Sequence, residues 1–232
     1  MNYGYSELPQ MVGDASTAVR AGFLRKVYGI FFVSLLVTLG AGMMSYQQGI
    51  AQLLMGLWLP MSLVGLVSII ALRFARRVPV LNVALFGIYT VIQGGLLGSL
   101  LYYLENTVTA TGARPYQGIG IEAISFTFVI FLGLTLWVMF AKRDFSFMGG
   151  FLFIAILGLL VMGVLNIFIH SEILNSIYCY AGVLIFGGYV LYDTSIIMNR
   201  LGPNDSMIGA IELYVDFIGM LWFILRILMR RR

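Results

Sequence analysis

Three observations predict an all-α membrane protein with seven transmembrane helices. Hydrophobic residues make up 60% of the 232-residue chain and charged residues only 10%, where soluble domains carry about a quarter charged residues. Apolar runs of about 20 residues, the length a helix needs to cross ~30 Å of hydrocarbon, recur along the chain. Lysines and arginines gather beside those runs instead of forming a basic face interleaved with exposed aromatics, so a pI near 9.3 reflects membrane boundaries and not nucleic-acid binding.

Residues 1–26 read as a polar N-terminal tail, a solvated arm without chemical motifs that ends in Arg20, Arg25 and Lys26. It has no basic n-region, and the apolar run after it is too long for a signal-peptide core, so no cleavage is expected. The seven-helix domain is expected over residues 27–229, followed by a basic tail at 230–232. Its first span is expected from Val27 to Tyr46, followed by a break at Gln47-Gln48-Gly49. The second covers Ile50 to Leu72, is interrupted by Pro60, and ends in Arg73, Arg76 and Arg77 at a membrane boundary. Pro79 is tolerated in a first helical turn, so the third span runs from there to Leu104, with Gln93 inside it. Gly94 and Gly98 give that span a small-xxx-small face for close helix packing.

A Thr-, Gly- and Asn-containing loop, Glu105 to Gly120, precedes the fourth span, Ile121 to Phe140, which Lys142, Arg143 and Asp144 close. The fifth, Phe147 to Ile169, carries Asn166 and is followed by His170. Gln93, Asn166 and His170 are read as helix-helix glue or loop residues rather than ligands. Cys179 has no partner cysteine in the chain and is read as a small packing residue. No repeat of fixed period is visible, so nothing points to an inverted-repeat transporter.

The sixth and seventh spans carry the chemistry. Between Gly187 and Arg226, Asp193 and Asp216 sit in two apolar segments separated by Gly202-Pro203-Asn204-Asp205, strong turn chemistry. Each acid lies roughly 10 to 13 residues from the turn, so an antiparallel hairpin rising ~1.5 Å per residue puts both at nearly the same depth. Glu212 precedes Asp216 by four residues and shares its face, and Tyr189 stands in the same relation to Asp193. An acid in hydrocarbon costs enough that a function is the default reading. The structural alternatives are Asp193 snorkelling to the interface or pairing with Arg200, and Asp216 neutralising an arginine of a neighbouring span.

Two carboxylates in a low-dielectric site cannot both ionise cheaply and titrate as a coupled pair, which makes a pH sensor. The same oxygens are hard ligands for Ca²⁺, whose binding competes with protonation. Two carboxylates fall short of six to eight ligands, so carbonyls near Gly187-Gly188 or waters would complete the shell, favouring transient passage over storage. No resident cofactor is expected.

The connections bearing most Lys and Arg are the N-terminal tail and the second-third, fourth-fifth and sixth-seventh loops. This makes the N-terminus cytoplasmic and the Gly202 turn cytoplasm-facing. Seven crossings then leave Arg230-Arg231-Arg232 outside, against the rule. Either the last segment crosses, which the uninterrupted run Phe217 to Leu225 favours, or it dips in and returns.

The motifs Leu191-Tyr192-Asp193 and Leu213-Tyr214-Val215-Asp216-Phe217-Ile218, followed by Leu225-Arg226-Ile227-Leu228, resemble the transmembrane Bax-inhibitor-motif family, as do Phe145-Ser146-Phe147 and Asn166-Ile167-Phe168. The resemblance covers Arg20 to Leu228. It implies a bundle with the last helix at its centre and a pH-sensitive calcium leak in which Asp193 and Asp216 share a proton. It also implies an arginine near the end of the second span that latches the closed form. Arg73, Arg76 and Arg77 all sit at that boundary; Arg76 is preferred, Arg73 is the alternative, and for any single one of them an interface anchor is the simpler reading. The family's eukaryotic members modulate cell death at intracellular membranes, whereas this compact chain is closer to bacterial members of the inner (plasma) membrane. Some relatives interact with membrane proteases, so a membrane adaptor or regulator is the second function class.

The enzymatic alternative is an intramembrane aspartyl protease, which also pairs aspartates on adjacent helices. Leu213-Tyr214-Val215 stands where such proteases carry Gly-x-Gly, and no Pro-Ala-Leu motif occurs, so no enzyme is expected. A retinal protein would need a mid-span lysine, and Lys26 and Lys142 lie at span ends.

Overall fold

A computed structural model describes residues 11–74, 79–141, 143–169 and 171–231. The described residues form helices α1 (Thr17–Ser45), α2 (Gln48–Gly56), α3 (Trp58–Phe74), α4 (Pro79–Glu105), α5 (Ile119–Ala141), α6 (Gly149–Ile169), α7 (Glu172–Asn199) and α8 (Ser206–Arg230). Six are long and apolar enough to cross a membrane, or up to seven spans if α2 and α3 count as one bent span. The multi-pass all-α architecture thus follows the sequence pattern.

The second expected span is the exception. It breaks at Leu57, and Gln48–Gly56 and Trp58–Gly65 meet at 72°. Pro60 supplies a reason: its ring would collide with the carbonyl four residues back, that of Gly56, and it has no N–H to donate there. As the third residue of α3, Pro60 occupies a first turn, where neither defect matters. One span thereby becomes a short helix packed on α4 and a 17-residue helix beyond the bend.

Helix α1 begins at Thr17, ahead of the expected Val27. Polar residues mark where a membrane begins, but an α-helix satisfies its own backbone and continues past that boundary. The reading of the whole tail as a solvated arm is also corrected. A 3-10 turn at Val12–Asp14 docks on the α7–α8 connection. There the Val12 N–H donates to the Leu201 carbonyl at 2.9 Å, and the Val12 side chain is fully buried. Residues 1–10 lie outside the described residues.

The glycines of α4 act as their spacing predicts. A Cβ at Gly94 would lie 2.2 Å from the Thr38 carbonyl oxygen, and one at Gly98 would lie 2.1 Å from that of Gly42. Only hydrogen at these positions lets the α1 and α4 backbones touch, which multiplies dispersion contacts where lipid removes any hydrophobic drive. On the outer face, α6 exposes Phe151, Ile154, Val161 and Phe168, a surface suited to hydrocarbon and not to water.

Helix α8 is the core. Of its most apolar 18-residue window 67% is buried, against 44% for α4, the next highest. It contacts α1, α4, α5 and α7, and apolar side chains around its circumference fit a helix enclosed by others. It is unbroken from Ser206 to Arg230, long and apolar enough to cross a membrane.

Candidate functional site

The position of Asp216 is fixed from the opposite side of α8. Tyr214 is fully buried; its hydroxyl hydrogen-bonds Thr38 Oγ1 of α1, and its ring meets the edges of Phe86 and Tyr89 of α4 at 5.3 and 5.8 Å. Two residues on a helix rotate about 200°. With Tyr214 held against α1 and α4, Asp216 must face away from them, toward α7. Phe217 adds a second fixing point by packing edge-on to Phe31 and Phe131.

Small residues bring α7 within reach. A Cβ at Gly182 would lie 2.3 Å from the Phe223 ring, and one at Gly219 would lie 2.2 Å from Phe186. The turn that joins the two helices is tied by Asp205, whose Oδ2 accepts the Gly202 N–H at 3.1 Å. Its own N–H donates back to the Gly202 carbonyl at 3.0 Å. The depth matching expected from spacing is realised: Asp193 and Asp216 are both buried, and Asp193 and Glu212 lie close enough to act on the Asp216 carboxyl by charge. Carboxyls this close in a buried site cannot all ionise cheaply.

The pair opens onto a cavity of about 540 Å³ between α3 and α4 on one side and α6, α7 and α8 on the other. Tyr189, Asp193, Glu212 and Asp216 line it, so the polar seam expected along the hairpin exists. Asn82 lines it too, from the first turns of α4. It is 3% exposed, and its Oδ1 has no hydrogen-bond partner among the described residues, as is also true of Asp216 Oδ2. A buried carbonyl oxygen facing no donor is costly, so Asn82 belongs among the site's residues. Sequence reasoning passed over it, although a single amide inside the apolar run Val80 to Phe86 was the available signal.

Other expectations resolve differently. Helix α7 runs unbroken through Gly187 and Gly188, so those glycines do not present an unwound stretch of carbonyls. They make room for neighbours instead, Leu134 of α5 against Gly187 and Leu152 of α6 against Gly188. Among the described residues no three His, Cys, Asp or Glu side chains converge as a metal-holding group, so Glu212 stands beside the pair without completing a cage. Arg76 and Arg77 lie outside the described residues, as do the Arg73 side chain and His170. Asn166 joins α6 to α7 through Asn175 Oδ1 at 3.3 Å, and Gln93 donates to the Tyr89 hydroxyl at 2.8 Å. Cys179 is buried.

Arg200, one of the partners weighed for Asp193, turns to the α5–α6 loop. Its Nη2 lies 3.1 Å from Asp144 Oδ2 and also bonds Ser146 Oγ. Asp144 Oδ1 accepts the Ser146 N–H at 2.9 Å and the Ser195 hydroxyl at 3.0 Å. The Ser146 backbone and side chain, then Ser195 and Arg200, hold the Asp144 carboxyl well below the usual carboxylate range. This exposed network clamps the α5–α6 loop to α7 within about two turns of Asp193.

The chain matches the model of the family described as inhibitor of apoptosis-promoting Bax1 over residues 20–232. It is 30% identical to the Golgi anti-apoptotic protein of vaccinia virus over 98% of this chain and 91% of the relative. Identity to protein lifeguard 4 of Mus musculus is also 30%, over 98% and 90% of the two chains. An uncharacterized protein of Campylobacter jejuni is 32% identical over 89% and 87%. The chain therefore belongs to the Bax-inhibitor family of non-enzymatic, multi-pass membrane proteins.

Proposed function

We propose that the protein is a pH-sensitive calcium leak whose switch is the proton shared by Asp193 and Asp216. The observation that carries this reading is the adjacency of the pair, two buried carboxyls on adjacent helices lining a cavity of about 540 Å³. While a proton bridges the pair, α7 and α8 are tied and the site carries one negative charge fewer. When it leaves, like-charge repulsion across a low-dielectric contact loosens the tie and both carboxylates become hard oxygen ligands. Calcium as the permeant ion competes with the proton for these oxygens, so its occupancy rises with pH. Glu212 adds negative charge at the cavity wall, Asn82 a neutral oxygen and Tyr189 a hydroxyl. Too few protein oxygens gather to retain calcium, as passage requires.

In this reading the second-third loop arginines lie on the same side as the α7–α8 turn, and Arg76, with Arg73 as the alternative, latches the pair in its closed form. The bilayer would be a bacterial inner membrane with the N-terminus cytoplasmic, a placement supported by the distribution of Lys and Arg and by the likeness to a Campylobacter jejuni relative.

Calcium-dye-loaded proteoliposomes test the proposal. Wild-type protein should carry a calcium flux that differs between acidic and neutral pH, and Asp193→Asn or Asp216→Asn should abolish that difference while keeping the side-chain shape. Absence of flux at both pH values, or unchanged pH dependence in both variants, refutes the leak and leaves the adaptor role, such as regulation of a membrane protease, as the reading to pursue.

A further inference from the structure

A second cavity, of about 380 Å³, lies beyond the first along the same helices. It is lined from α3 by Trp58 and Ser62, from α4 by Gln93, and from α8 by Trp222 and Arg226. On α8 the cavity-lining positions include Ile208, Glu212 and Val215 on the acid-bearing cavity and Gly219, Trp222 and Arg226 on the second, with Ile211, Asp216 and Phe223 beside them on the same side of the helix. The alternating steps of four and three between the first six trace one face of the helix. From Ile208 to Arg226 that face is about 27 Å long at ~1.5 Å per residue, close to the thickness of the hydrocarbon. Helix α3 repeats the pattern, with Trp58 and Ser62 on the second cavity and Leu72 on the first.

Among the described residues one side chain borders both cavities: Phe186 of α7. Its ring sits on Gly219, near the middle of α8, so closely that a Cβ there would lie 2.2 Å from the ring. From the structure we infer that Phe186, seated on Gly219, is the hydrophobic partition of a single transmembrane pathway, with the acid-bearing cavity and the Arg226 cavity as its two vestibules. An apolar constriction stops ions by excluding water, without any charge of its own. The two sites then have separate duties: the acid pair sets when α7 and α8 separate, and Phe186 is the barrier their separation moves. This inference deepens the proposed leak and rests on it, but a partition between cavities is measurable without calcium.

The test uses the full-length protein in vesicles with Phe186→Ala and the milder Phe186→Val, each in a Cys179→Ala background carrying Val215→Cys, a position on the wall of the acid-bearing cavity. A small, membrane-impermeant cationic thiol reagent is added on the side of the α6–α7 loop, and calcium flux is followed in the same variants without the added cysteine. With Phe186 present the cysteine should be protected from that side; with Ala it should react several-fold faster, with Val to an intermediate degree, and calcium flux should rise in the same order at acidic and neutral pH alike. Equal labelling rates with Phe, Val and Ala at position 186 overturn the partition. Faster labelling without calcium flux in any variant supports the partition and refutes the calcium leak. Should Phe186→Ala fail to yield folded protein, the comparison of Phe186→Val with wild type decides by the same criterion.

Discussion

Replacing Gly98 by alanine tests how far the site depends on close packing of α1 against α4. The new methyl would sit 2.1 Å from the Gly42 carbonyl oxygen, 2.3 Å from Ser45 Oγ and 2.7 Å from the Gly42 carbonyl carbon. Ser45 Oγ can rotate away; the Gly42 backbone cannot, because its carbonyl accepts the Tyr46 N–H at 3.0 Å. Relief to ordinary van der Waals distance therefore parts the two helices by more than about 1 Å, forfeiting much of the dispersion energy along the seam. Overpacking of this kind costs about 1–3 kcal/mol. At ~2 kcal/mol, and ~2–4 °C per kcal/mol for a chain of this size, the melting temperature should fall by about 4–8 °C. Gly29→Ala on the same α1 is the control, since nothing lies within 4 Å of its added methyl and helix propensity favours alanine by ~0.5–1 kcal/mol. Thermal unfolding of both variants in one detergent, followed by circular dichroism, gives the comparison. If Gly98→Ala melts with Gly29→Ala, the backbone contact does not hold α1 to α4 and the packing argument fails.

Tyr214→Phe removes the hydroxyl bonded to Thr38 while Thr38 keeps the Ser34 carbonyl at 2.9 Å. The cost should be near ~1 kcal/mol, seen as a melting temperature lower by about 2–4 °C; an unchanged value would show that this bond does not fix α8. Asp144→Asn should destabilise the protein at neutral pH. Because the folded-state value of Asp144 is depressed, its contribution is present above the ordinary carboxylate range and lost as pH falls through the lowered value. The melting difference between wild type and variant should therefore shrink on acidification, and a gap that widens would contradict the network. Asn82→Leu removes a buried carbonyl oxygen that has no partner among the described residues, so stability should hold or rise while calcium flux falls; unchanged flux would assign Asn82 to packing alone.

Most of the architecture was legible because the bilayer imposes a coarse code. Span length and charged boundaries locate α1, α4, α5 and α6 to within a few residues, apart from the early start of α1; the Gly202-Pro203 turn separates α7 from α8 without fixing where α7 begins, at Glu172, and hairpin arithmetic alone brings Asp193 beside Asp216. The glycine face at Gly94 and Gly98 was legible for the same reason, since close helix approach in lipid demands small residues at that spacing. What escaped depends on three-dimensional neighbours. Hydropathy shows Pro60 inside an apolar run but not the 72° bend at Leu57 that its ring provokes. Val12 looks like part of a polar tail until the Leu201 carbonyl is found above it. Asn82 and Phe186 carry no motif, and only their places on cavity walls single them out. The exchange of Arg200 from Asp193 to Asp144 depends on where the α5–α6 loop falls, which charge spacing does not encode.

Control of permeation by one proton held between Asp193 and Asp216 can be measured by titrating that proton and the flux together. Infrared difference spectroscopy of protein reconstituted in bilayers reports protonated carboxyl groups, and calcium-dye flux is measured in the same preparation across pH. The two titrations should share one midpoint, and Asp216→Asn should remove both the carboxyl signal and the pH dependence of the flux. A flux whose pH dependence survives in Asp216→Asn, or whose midpoint stands apart from the carboxyl titration, would contradict the account.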